Sequence, residues 1–191
     1  VVLTAANYAS RFVDRIDFLQ DEEQSEEETK AKIEVKFPLE VISKLVDSKD
    51  IEVVIGGIGL LKCNIDSYDK EIVIELFNKA LSLALTDSES NLADILLKLS
   101  KAIVEAYDVI PEVVIDFIKS IILGRFAFFQ NVQFVGYIRY LRNFFDVMAA
   151  LIKKGCDQFM YYLISVFQYL PTKAIKKALK PFVVYALRKE E

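Results

Sequence analysis

The 191-residue chain has no histidine, no tryptophan, 2 cysteines and 4 prolines. The missing imidazole excludes the most. Ser-His-Asp and Cys-His nucleophile systems, histidine acid–base catalysis, the 2-His-1-carboxylate iron site and nearly every common zinc site all require one. Cys63 and Cys156 stand far apart with no Cys-x-x-Cys spacing, so they read as buried thiols or, in a secreted protein, as a disulfide pair. No Asn-x-Ser/Thr glycosylation site is present. Long apolar runs are missing too. The longest stretch without a charge, Gln158 to Thr172, has 15 residues, short of the roughly 20 that a transmembrane helix needs. The chain opens on Val1 without the basic start and apolar run of a signal peptide, which reads as a processed or excised product.

A composition that is 53% hydrophobic and 27% charged is too apolar for disorder and can form a sizeable core in one large or two small domains. The net charge of -4 hides a division. Residues 1–116 carry 12 basic against 24 acidic side chains, a balance of -12, whereas residues 117–191 carry 12 against 4, a balance of +8. Of the 23 Phe and Tyr residues, 16 lie in the basic part. Such a chain can neutralise itself on folding or present a basic, aromatic face to an anionic partner.

The apolar spacing predicts an all-α fold, a globular bundle of about eight or nine helices, with a helical-repeat array as the alternative; no residue pattern recurs at fixed period. Residues 1–20 form an N-terminal helix, with Tyr8, Phe12, Ile16 and Leu19 on one side. Residues 21–36 form an acidic flexible linker, since Asp21 to Glu28 has nothing to bury; a calcium loop would need a turn glycine that is absent. Residues 37–191 form the helical domain, acidic over 37–116 and basic and aromatic-rich over 117–191.

Within that domain, Phe37-Pro38 opens a helix through Leu39, Val41, Ile42, Leu45 and Val46. Ile51 to Leu61 is ambiguous. Its β-branched start suits a strand, but no partner strand exists, so a short helix containing Gly56, Gly57 and Gly59 is preferred. Ser67 is expected to cap a helix to Leu85, and the caps of Thr86 to Glu89 to start another with Leu92, Leu96, Leu99, Ile103 and Tyr107 inward and Asp94 and Lys98 outward. Pro111 starts a helix stopped by Gly124. After a break near Gln130-Asn131, a largely buried helix runs to Lys154 and ends at Gly155. Asp157 to Leu170 reads as central, and Pro171-Thr172 starts a short final helix.

Four places in the sequence offer groups that catalysis could use. Gly56-Gly57-Ile58-Gly59-Leu60-Leu61-Lys62 resembles a phosphate loop in glycine content, but Lys62 stands where a third glycine is required and no Gly-Lys-Ser/Thr follows, so close helix packing is preferred. Glu105, Asp108, Glu112 and Asp116 are candidates for carboxylate catalysis, against a plain reading as exposed helix-end acids. Asp146 among Arg139, Arg142 and Lys153 reads as a surface charge cluster. Cys156 at a helix start is a candidate nucleophile, but with no histidine to act as base a helix-entry cysteine or a disulfide partner is preferred.

The most specific signal is the last helix, where Lys173, Lys176, Lys177 and Lys180 share one face. That face can meet an acidic protein, an anionic bilayer or nucleic-acid phosphates, or simply solvent and the chain's own acidic part. Nucleic acid is least favoured, because the sequence pI is near 5.1 and arginine is scarce.

Gly155-Cys156-Asp157-Gln158-Phe159, followed by an apolar helix, is similar to the Gly-Cys-Asp helix start of spider silk carboxy-terminal domains. Asp87 to Ile110 is loosely similar to helices of silk globular repeats. The resemblance covers under a quarter of the chain and implies that Cys156 makes an intermolecular disulfide and that the protein is secreted and self-assembles.

The expectation is therefore a non-enzymatic interaction or structural domain without cofactor or metal, acting through self-association or a protein partner bound by its carboxy-terminal part. The alternatives are a silk-like assembly domain, a carboxylate-only enzyme, and a lipid-binding bundle whose cavity is lined by Phe128, Phe134, Phe144, Phe159 and Phe167, with the lysine helix at the membrane.

Overall fold

The computed structural model describes residues 37–86, 92–122 and 137–167. The expected N-terminal helix, the acidic linker, the caps at Asp87 to Glu89, the stops at Gly124 and Gln130-Asn131, and the final lysine helix lie outside these residues. Among the described residues there are seven α-helices, one 3-10 turn and no strand.

The helix α1, Leu39–Val46, follows Pro38, whose φ of -60° suits a helix start and whose carbonyl accepts the Val41 amide at 3.0 Å. Ile42, Leu45 and Val46 are buried, while Val41 turns outward. The helix α2, Ile51–Cys63, resolves the ambiguous segment. Asp50 Oδ1 accepts the Glu52 amide at 3.0 Å and so satisfies a donor that the first helical turn leaves orphaned. The three glycines are buried in α2, and a Cβ on Gly57 would lie 2.8 Å from Leu45 Cβ. The glycine therefore admits the backbone of α1 to close approach, which is the packing role and not the phosphate role.

Ser67 does not cap the next helix. It ends a 3-10 turn, Ile65–Ser67, anchored by buried Ile65 and preceded by Asn64, whose Nδ2 donates to the Leu60 carbonyl at 3.0 Å. The helix α3, Lys70–Thr86, starts instead at Asp69, whose carbonyl accepts the Ile72 and Val73 amides, each at 3.1 Å. On its apolar side Val73, Phe77, Ala80 and Ala84 are buried and Leu81 is half-buried.

Among the described residues the helix α4, Leu92–Ala106, is the centre of the core. It packs against α2, α3, the 3-10 turn and a later helix, α6, Tyr137–Lys153. Burial covers Leu92 to Leu97, Leu99, Ser100, Ile103 and Val104, leaving Lys98, Lys101 and Glu105 on a narrow strip. The reading of Asp94 as an outward residue is thereby corrected, since Asp94 is 6% exposed; the expected central position of Asp157 to Leu170 falls largely on side chains outside the described residues. Between α4 and α6 comes α5, Glu112–Ile122, begun by the Pro111 carbonyl and packed on α3 through Phe77 and Phe117, edge to face at 5.7 Å.

Two contacts orient α6. Asn143, near its start, bonds Asp94 near the start of α4, and Lys154, just past its end, reaches the carbonyl of Tyr107 just past the end of α4. The two helices therefore run parallel. The polar stripe of α6 falls as expected where its side chains are described, with Arg142 and Lys153 exposed and Tyr140, Leu141, Phe144, Phe145, Met148 and Leu151 buried.

Candidate interaction surface

The end of α6 positions the surface. Gly155 has φ +89°, the left-handed conformation that glycine adopts without a side-chain penalty. Its amide donates to the Ile152 carbonyl at 2.9 Å and the Cys156 amide to Leu151 at 3.0 Å. This double bond pattern is a Schellman motif, and Cys156 packs against the core beside it. The chain is thereby reversed into α7, Gln158–Phe167.

In the first turn of α7, helical spacing divides the side chains. Phe159 is fully buried and contacts Tyr162 with ring centroids 5.8 Å apart. Met160 and Tyr161 point the other way and are 43% and 76% exposed. Asp157 and Gln158 are also exposed, as are Lys153 and Lys154 before the turn. The arrangement is an aromatic and thioether pair standing outside the core, with Lys153 and Lys154 exposed on the other side of the Gly155 turn.

Lys154 connects this turn to the end of α4. Lys70 Nζ donates to the Val109 carbonyl at 2.8 Å and sits 5.4 Å from the centre of the Tyr107 ring, while Lys154 Nζ donates to the Tyr107 carbonyl at 3.3 Å. Two lysines distant in sequence thus satisfy carbonyls beyond the end of α4, where the helix dipole favours cations. Burial raises the pKa of the Tyr107 phenol, and the charges of Asp66 and Glu71 raise it further. Its hydroxyl has no hydrogen-bond partner among the described residues. Val109, beyond the same helix end, is 71% exposed.

The other residues singled out in the sequence scatter. Glu105, Asp108, Glu112 and Asp116 are all exposed, with Glu105 paired to Lys101 at 4.0 Å and Asp116 to Lys119 at 3.6 Å. Cys63 is exposed at the end of α2 and Cys156 is half-buried, both as thiols, so neither is the fully buried residue expected. Phe144 and Phe159 belong to the packed core; Phe128 and Phe134, the Phe167 side chain, and Lys173, Lys176, Lys177 and Lys180 lie outside the described residues. Among the described residues no group of three or more acidic or sulfur ligands could hold a metal ion, and no helix is long and apolar enough to cross a membrane.

Sequence reasoning missed two features. Met160 and Tyr161 were hidden because Asp157 to Leu170 is apolar all round. Asp94 was hidden by its favourable spacing to Lys98, although a lone acid inside Leu92-Ala93-Asp94-Ile95-Leu96-Leu97 is itself a sign of a buried polar contact. Comparison with protein-family models, with curated proteins and with solved structures finds no match to this chain.

Proposed function

We propose that this protein is a non-enzymatic helical interaction domain that self-associates or binds a protein partner through its basic, aromatic-rich carboxy-terminal part. The observation that carries the reading is the exposure of Tyr161 and Met160 at the start of α7, inside the part of the chain whose charge balance is +8. Tyrosine and methionine are both enriched in protein interfaces, because each offers a large contact area at modest entropic cost. Lys173, Lys176, Lys177 and Lys180, which share a helical face by their spacing, extend the same part and favour an acidic partner surface.

Hydrogen–deuterium exchange tests the assignment. Comparing dilute with concentrated protein, or protein with and without a captured partner, slower exchange is expected in the segment from Asp157 onward. Protection confined to α1 and α2 would defeat the proposal. Native mass spectrometry on the same sample covers the lipid alternative, since persistently co-purifying lipid would favour it instead.

A further inference from the structure

The helices α4 and α6 bury nearly all of their large apolar side chains among the described residues. One pair is different. Asn143 Nδ2 of α6 donates to Asp94 Oδ1 of α4 at 2.7 Å, and Asp94 is 6% exposed. Tyr140 lies one turn before Asn143 and is 1% exposed, close enough to Asp94 to feel its charge.

Stability alone does not account for a carboxylate at this position. Removing a charge from water is costly, and an apolar pair of similar volume usually serves a helix seam as well or better. What an all-apolar seam lacks is a unique alignment. Rows of Leu, Ile, Val and Phe can interdigitate in more than one axial register, because dispersion and burial are non-directional. A hydrogen bond is directional. Sliding α6 by one turn, about 5.4 Å, leaves the buried Asp94 carboxylate without the Asn143 donor, so that register is penalised and the observed one selected.

We propose that the Asp94–Asn143 hydrogen bond is a register key for the parallel pairing of α4 with α6. The consequence reaches the far end of the seam. Lys154 follows directly on the end of α6, eleven residues after Asn143, so fixing the first fixes where Lys154 meets Tyr107, where the Gly155 turn falls, and where α7 leaves the core.

The test is a distance measurement by pulsed electron paramagnetic resonance. Spin labels are placed at Glu105→Cys on α4 and Lys153→Cys on α6, in the full chain carrying Cys63→Ser and Cys156→Ala. The parent should give one narrow distance. Asp94→Asn should preserve it, because the side-chain carbonyl that remains still accepts from Asn143. The double variant Asp94→Leu/Asn143→Leu should fold, by far-ultraviolet circular dichroism, yet give a broadened distribution or a shift of about one helical turn, 5 Å. A double variant with the parent's single narrow distance overturns the proposal. So does one that fails to fold, since the pair would then serve stability itself, and so does a shifted register in Asp94→Asn.

Discussion

Gly57 shows how a single missing side chain sets the spacing of two helices. A methyl group there would meet Leu45 Cβ at 2.8 Å and the Val46 amide nitrogen at 3.3 Å, and neither the Cβ nor the backbone can swing aside. Alanine improves helix propensity by roughly 0.8–1 kcal/mol over glycine, but forced overpacking costs about 1–3 kcal/mol, so the clash is the larger effect. Gly57→Ala should lower unfolding stability in urea by about 1–2 kcal/mol, and an increase would show that α1 can retreat. Tyr140 makes a second prediction. Its burial, and after that the Asp94 charge, raise its pKa above the ordinary 10.0. The folded state therefore holds the phenol proton more tightly than the unfolded state, and this contribution is complete below the unfolded pKa and lost as pH rises beyond it. Stability should fall above about pH 10, with Tyr68 and Tyr107, also raised by burial, acting in the same direction. Tyr140→Phe should reduce that alkaline loss in denaturant titrations; an unchanged pH profile would refute the assignment.

At the scale of elements, α2 shows why a cap outweighs propensity. Ile51, Val53, Val54 and Ile55 favour a strand locally, yet a strand would leave its backbone unpaired, whereas Asp50 closes the first helical turn and the buried face contributes the rest. Asp50→Ala should cost about 0.5–2 kcal/mol in chemical denaturation without changing the fold. Loss of less than a few tenths would mean that packing alone holds the helix start. The helices α1, α3, α4, α5 and α6 were legible because each carries apolar residues at helical spacing, whereas the start of α2 was not. Ser67 misled because a hydroxyl suits a turn as well as a cap. Gly155 was read correctly as a helix stop, since only a left-handed residue completes the Schellman bonds.

For the whole molecule, the division of charge was visible in the sequence, and the exposed pair on α7 was not. Charge is additive along the chain, but exposure depends on how α7 rolls against α6, which Phe159 decides by entering the core. The proposed interaction surface lies on the opposite side of that roll, at the exposed Met160 and Tyr161. Light scattering across a concentration series tests it most directly, using the chain and its Tyr161→Ser variant. The side chain is exposed, so the variant should fold with unchanged helix content. The parent's mass should rise above the 21.8 kDa of one chain as concentration increases, and the variant should need roughly tenfold more protein for the same rise, equivalent to about 1.4 kcal/mol of lost contact. A strict 21.8 kDa monomer throughout, with no protein partner retained by the same chain, would contradict the account.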